Sequence, residues 1–505
     1  MLTVLLILFG VFLYWNLFHK RRNYPRGPTP LPFFGNALSL SKYHGDLDVQ
    51  FIEWQKKFGD IFTIWIGETP FVMVNGYNKV VELFQNDDGR FSGRFSFDEK
   101  NDLMRGGNVA GVLHTEKQLW QEQRRFILRV FRDFGLNKNL MQERVLNEVS
   151  DLISIVNRDI DSGLQEHNMA EQIESKVGSV INSILFNYRF DESRMDEFRT
   201  IKQLMSNYVK LAGSIAFRIA QSNSKLFLYV PSIRKHVEKT QGCAKKLINF
   251  FQSQIAEHRS KCNLDSDEPP VDFVEAYLRK QRQEGDNSNY NNYQLTHVIY
   301  DLWLAGQETT STVLAWLLIY LINNPDVQKR MHAEMDRVVG SKRLITAADR
   351  SSLFYTNAVV NEGLRLANIL VVNVMHKLLT DTELEGCVVP KNTCILPQIS
   401  TVLYDENASS RIVFNNPRQF NPDRFLDENG KLKTINEFIP FGIGKRQCLG
   451  EGLARMELFL FTANIFNNFE IFAGKEKPSI QRQIGGTIHP KAFTCGIRRR
   501  TCSTN

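Results

Sequence analysis

The chain has 505 residues, 43% of them hydrophobic and 23% charged, which is enough apolar material for a packed enzyme-sized body and too much for extended disorder. A formal net charge of +7 is modest for this length and comes without arginine-rich tracts interleaved with aromatics. That argues against a nucleic-acid partner and favours an anionic membrane surface or an acidic protein. The seven cysteines, at 243, 262, 387, 394, 448, 495 and 502, include no CxxC pair; neither a disulfide framework nor a structural zinc site is indicated, and a reducing compartment is expected.

Leu2 to Phe18 is an almost uninterrupted apolar run, followed at once by His19-Lys20-Arg21-Arg22. A cleaved leader would carry its charge before the apolar core, so the order here predicts a retained signal-anchor. The basic flank stays cytosolic, and the rest of the chain with it. Pro25, Pro28, Pro30 and Pro32 follow, fixing the backbone in extended or turn states and removing amide donors. Residues 1–22 are therefore read as a single-pass transmembrane anchor, 23–36 as a stiff hinge and 37–505 as one catalytic domain.

Between Gln50 and Ser260 most segments have the period of amphipathic helices. Ile61 to Ile66 and Phe71 to Val74 instead concentrate β-formers around Gly67 and Pro70, as a hairpin does. The fold class is mainly α with small β-sheets. Leu226-Phe-Leu-Tyr-Val-Pro231 places large apolar groups in an expected surface loop, and a second bilayer contact is expected there. Residues 263–270 and 283–293 read as surface loops. Tyr293 to Asn323 reads as a helix apolar nearly all round, ended by Asn324-Pro325 and so buried in the middle of the body. Its polar interruption is Gln307-Glu308-Thr309-Thr310, just after Ala305-Gly306, and a buried acid with hydroxyls costs stability unless satisfied or used.

Phe441-Gly-Ile-Gly-Lys-Arg-Gln-Cys-Leu-Gly450 precedes another helical pattern, which puts Cys448 at a loop-to-helix junction. A thiolate there faces free amides and the positive end of the helix dipole, which are expected to lower its pKa and hold it ionised. Gly442, Gly444 and Gly450 allow tight turns and close approach of a flat ligand, while Arg446 offers donors to a carboxylate.

The pattern carried by Phe441, Gly444, Arg446, Cys448 and Gly450 resembles that of the cytochrome P-450 family. Further segments follow in the family's order: Trp120 with Arg124, Glu362 with Arg365, and Phe420-Asn-Pro-Asp-Arg-Phe425 with Arg424. The resemblance runs from the anchor to about Pro490 and is closest to the microsomal subgroup acting on lipophilic foreign compounds, steroids and fatty acids. It implies the cytochrome P-450 fold around haem b, with Cys448 as the axial iron ligand. It also implies that Trp120, Arg124, His376 and Arg446 bind the propionates, with Ala305 against the cofactor. Glu362, Arg365 and Arg424 are implied as a buried ion network that holds the cysteine loop. Thr309, with Glu308 and water, is implied to relay protons beside the oxygen site, Gly306 leaving room there. Residues 97–114, 203–230, 302–305, 369–373 and 485–488 are implied to line an apolar pocket.

The activity expected from this is insertion of one oxygen atom from O2 into a lipophilic substrate. Electrons come from NADPH through a reductase, with cytochrome b5 as a second donor, at the endoplasmic reticulum membrane. A haem-thiolate isomerase or dehydratase acting on lipid peroxides, or a haem sensor, are the alternatives; Glu308 and Thr309 speak against the first. Lys431, Lys433, Lys445 and Arg446 make the face nearest the cysteine basic, and an acidic reductase surface is expected to dock there.

Overall fold

The computed structural model describes residues 1–500 except 43–45, 87, 97–104, 106, 137–138, 215–228, 286–288, 341–342 and 406–412. The N-terminal apolar run forms helix α1 (Leu2–Leu17), whose side chains are nearly all exposed. Leu2–Arg21 is a helical span of 20 residues, long and apolar enough to cross a membrane. Its basic end is pinned to the body, because Lys20 pairs with Glu68 and stands 4.6 Å from the Trp65 ring centre.

The proline segment that follows is docked along the edge of the first hairpin rather than free to swing. The Asn36 amide donates to the Trp65 carbonyl at 2.6 Å, and the Trp65 amide donates to the Asn36 side chain at 2.8 Å. Gly27 passes so close that a Cβ there would stand 2.0 Å from the Thr63 carbonyl oxygen. Beside the anchor, Leu31, Phe33, Phe34 and Leu38 are each more than half exposed. Leu226, Phe227 and Leu228 lie outside the described residues; Tyr229 and Val230, from the same stretch, are exposed. Apolar side chains this open beside a membrane helix are expected to enter the lipid interface. Deleting Met1 to Phe18 should therefore leave residual binding in vesicle co-sedimentation, and adding Phe33→Ser and Phe34→Ser should release most of it. A fully soluble truncation would dispose of the second contact.

The predicted hairpin is present. Strands β1 (Ile61–Ile66) and β2 (Thr69–Val74) pair antiparallel with Ile61 opposite Val74, and Gly67 turns between them at φ +59°. They begin a five-stranded sheet in the order β1-β2-β5-β4-β3, completed by β3 (Gly93–Arg94), β4 (His376–Lys377) and β5 (Cys394–Pro397).

The helices that frame the site are α2 (Lys117–Phe131), α3 (Met169–Phe186), α4 (Met195–Ala212), α5 (Asn292–Asn323), α6 (Phe354–Ala367) and α7 (Glu451–Asn468). A last short hairpin, β6 (Arg482–Ile484) with β7 (Ile488–Pro490), reaches back to α5. The long apolar segment is α5, as the sequence predicts; Asn291 caps its start through the Gln294 amide, and Asn324-Pro325 ends it. Its fully buried Trp303 and Trp316 place it through the middle of the core.

Gly306 does not open an oxygen space as expected. A Cβ there would meet the Ile181 side chain of α3 at 3.1 Å, so this glycine serves the close packing of α3 on α5.

Candidate active site

The cysteine loop is built by positive-φ glycines and one carbonyl. Gly442 and Gly444 adopt φ of +75° and +74°, and the Cys448 amide donates to the Phe441 carbonyl at 2.9 Å, closing the loop. Gly444 presses against the segment before β3, where a Cβ would lie 1.8 Å from the Phe84 carbonyl oxygen. Gly450 is different: its φ is −90°, and nothing within 4 Å would meet a Cβ there. It leaves open space just where α7 begins.

Cys448 is exposed as a residue, while its thiol lies among protein atoms. Burial pushes its pKa up, outweighing the amides of Gly450 and Glu451 and the charge of Arg124, which pull it down. The expectation of a thiolate held by amides and dipole alone is thus corrected. Both are in place, but burial outweighs them.

Around the cysteine loop stand four basic groups. Arg446, from the loop, donates to the carbonyls of Ser92 at 2.9 Å and Thr115 at 2.8 Å, and its guanidinium lies 3.8 Å from the Trp120 ring centre. Its remaining nitrogen, Nη1, is buried without a hydrogen-bond partner. Arg124, one helical turn beyond Trp120 on α2, donates to the Gln447 carbonyl at 2.7 Å. His376, on β4, meets the Phe91 carbonyl through Nδ1 at 2.8 Å; since a carbonyl only accepts, Nδ1 carries the proton. Arg94, on β3, donates to the Leu113 carbonyl at 3.2 Å.

These groups sense one another. Burial, then Arg94 and Arg124, bring Arg446 down to about 8, partly offset by Glu116. Burial and Arg124 bring Arg94 down to about 10. Burial first, then Arg94 and Arg446, hold His376 well below its ordinary value. Glu116 is already shared, accepting from the Arg94 amide and pairing with Lys377 at 3.2 Å. Three partly or fully buried arginines with an orphaned donor are costly unless an anion completes them. Two carboxylates on a flat group beside a cysteine sulfur meet that need; the residues fit an iron porphyrin. Arg94 was not foreseen from the sequence, because a single arginine on a two-residue strand carries no motif.

Behind the loop, α6 supplies Glu362 and Arg365, both fully buried. Arg365 forks onto Glu362 at 2.7 and 2.9 Å and donates to the Leu403 carbonyl at 2.8 Å. Arg424 adds a third contact to Glu362 at 3.0 Å. The triad expected from the sequence is assembled.

On α5, Ala305 is exposed although it lies mid-helix in the core, so a void faces it. The Thr309 hydroxyl donates to the Ala305 carbonyl at 2.7 Å. The carboxylate of Glu308 has different partners: Lys202 of α4 at 2.9 Å and His489 of β7 at 3.0 Å. Burial works against its charge, yet His489 and Lys202 hold its pKa at about 2. Neighbouring helix positions point apart, so Thr309 Oγ1 turns to the Ala305 carbonyl while the Glu308 carboxylate is held as an anion inside an ion cluster.

The residues around the cysteine loop, within a mainly helical body, thus fit a haem site. The sequence model described as Cytochrome P450 matches residues 25–495. The chain is 33% identical over 489 residues to cytochrome P450 2J5 of Mus musculus, covering 96% of this chain and 93% of the relative. It is 34% identical to cytochrome P450 2H2 of Gallus gallus over 94% of each chain. Its identity to cytochrome P450 2C8 of Homo sapiens is 32%, over 91% of this chain and 90% of the relative. The chain belongs to the cytochrome P450 family and is a haem monooxygenase.

Proposed function

We propose that this protein oxidises a lipophilic organic substrate, a xenobiotic, fatty acid or steroid. The proposed electron source is NADPH through a membrane-bound reductase, with cytochrome b5 as a second donor. The body, 37–505, would lie on the cytosolic side of the endoplasmic reticulum membrane, held by the anchor 1–22 and the docked segment 23–36. The observation that carries this reading is the cluster of Arg94, Arg124, His376 and Arg446 around the Cys448 loop. When bound, haem held by sulfur supplies oxygen activation, since a thiolate ligand favours cleavage of the O–O bond.

The chain's own residues then have assignable tasks. Cys448 supplies the ligand, and Trp120, Arg124, Arg446, Arg94 and His376 orient the propionates. Ala305 would border the haem, and Thr309 would hold a proton at Oγ1 near it. Because that hydroxyl already donates to the Ala305 carbonyl, its lone pairs remain to accept from and hold a water. The deciding experiment supplies reductase and NADPH with a panel of polyunsaturated fatty acids, steroids and aromatic xenobiotics. Monooxygenated products with matching NADPH and O2 consumption are expected. Rearrangement of a lipid peroxide without NADPH would replace the proposal by an isomerase.

Charge supports a reductase site on the cysteine-loop side. Lys431 and Lys433 are exposed, as are Arg125 and Arg129 one turn apart on α2; Lys445 is partly committed, donating to the Asp88 carbonyl. Attraction between opposite patches is screened over about 10 Å at 0.1 M salt. Changing Lys431, Lys433 and Lys445 together to Glu is expected to slow reductase-driven reduction and flatten its salt dependence. Peroxide-driven turnover should survive, and equal loss of both activities would end the docking proposal.

A further inference from the structure

The ion cluster around Glu308 joins four separate parts of the fold. From α4, Lys202 reaches Glu308 at 2.9 Å and also Glu174 of α3 at 2.9 Å. From the last hairpin, His489 Nε2 reaches Glu308 Oε1 at 3.0 Å and Thr487 Oγ1 at 2.8 Å, while Nδ1 lies 3.4 Å from Thr312 Oγ1 on α5. To donate to a carboxylate, Nε2 must carry the proton; the Thr312 hydroxyl gives its own to the Glu308 carbonyl at 2.7 Å.

The hairpin tip has little other freedom. The Gly485 amide donates to the Thr487 carbonyl at 3.0 Å, and Gly486 leaves no room for a Cβ against Val209 of α4, which would stand 2.4 Å away. Beyond the tip, the Ile488 amide donates to the Ile369 carbonyl at 2.8 Å, and its own carbonyl accepts from Trp316 Nε1 at 2.9 Å. Residues 485–488 and 369–373 are expected pocket walls, and Glu308 is adjacent in sequence to Thr309. One buried carboxylate therefore ties the roof helix α4 and the hairpin tip to the helix that carries the oxygen-side residues.

We propose that His489 is a positioning residue: through Glu308 it fixes the hairpin tip and α4 against α5, and so sets how a long substrate lies relative to the oxidising centre. The proposal rests on the haem-monooxygenase reading above.

The test uses the full-length holoenzyme and two iron-ligating probes, 4-phenylimidazole and 1-dodecylimidazole, titrated by absorbance. The first occupies little more than the space above the iron, whereas the second must follow the pocket walls. In His489→Ala the ratio of the two affinities should change on the order of tenfold, the loss expected when a hydrogen bond to a charged group no longer holds a wall. His489→Gln, whose amide nitrogen takes the place of Nε2, should restore the ratio, and His489→Asn should not. The positions at which a substrate from the panel is oxidised should move in the same variants, with the reduced carbon monoxide spectrum retained. An unchanged ratio in His489→Ala overturns the proposal, even where the Tm falls, because the residue then serves the fold alone. Failure of both imidazoles to shift the wild-type spectrum would instead overturn the haem reading, and the role of His489 with it.

Discussion

Replacing Cys448 with alanine or histidine is expected to abolish NADPH-driven oxygenation and to remove the thiolate signature from the reduced carbon monoxide spectrum. Alanine leaves no ligand at the loop-to-helix junction, while histidine offers a neutral nitrogen without the electron push of sulfur. The two variants should nevertheless differ. The basic groups proposed to face the propionates come from α2, β3, β4 and the loop position two residues before the cysteine, and neither substitution replaces them. Histidine should therefore retain a substantial share of haem by pyridine haemochrome assay while losing turnover, whereas alanine should lose haem as well. A normal reduced carbon monoxide spectrum in either variant would remove Cys448 as the axial ligand.

What could be read directly from the sequence was local. The hairpin at Ile61–Val74, the helix Asn292–Asn323 and the cysteine loop each carry their signal within about thirty consecutive residues, as apolar period, turn glycines or a capping residue. The triad of Glu362, Arg365 and Arg424 spans 62 residues, yet each part sits in a short pattern of its own. The features that escaped depend on contacts between distant segments without such a pattern. Arg94 joins the propionate cluster only because β3 pairs with β4, more than 280 residues later. Glu308 looks like a proton donor when read beside Thr309. Its actual partners lie 106 residues before it and 181 after it, and they fix it as an anion. Gly306 likewise has the small size an oxygen site needs, but Ile181 supplies the reason for it. The loop amides at Gly450 and Glu451 were foreseeable from the helix start, whereas the burial that outweighs them was not.

Glu362→Gln is expected to cost haem incorporation and stability far more than its conservative size implies. The carboxylate accepts from Arg365 Nε and Nη2, from Arg424 Nε at 3.0 Å and from the Asn421 amide at 2.9 Å, with no exposed surface of its own. Two guanidiniums converge on it, and for Arg424 burial and the neighbouring charge of Arg365 are opposed chiefly by Glu362. Glutamine keeps the shape but removes the charge, leaving both guanidiniums buried and repelling one another. Breaking such a pair by removing one partner costs about 3–5 kcal/mol, a large part of the roughly 5–15 kcal/mol that holds a domain folded. Arg365→Lys should fare almost as badly, because an ammonium cannot present the fork that spans both carboxylate oxygens and reach the Leu403 carbonyl as well. The segment from Asn415 to Arg424, which receives the other end of the network through the Asn415 and Gln419 carbonyls, should then loosen ahead of the cysteine loop. The measurement is haem per chain with thermal melting by circular dichroism. Both should fall together, and peroxide-driven turnover per bound haem should stay near the wild-type value, because none of the three residues reaches the site. Wild-type haem content and an unchanged Tm in Glu362→Gln would show that the triad does not hold the loop.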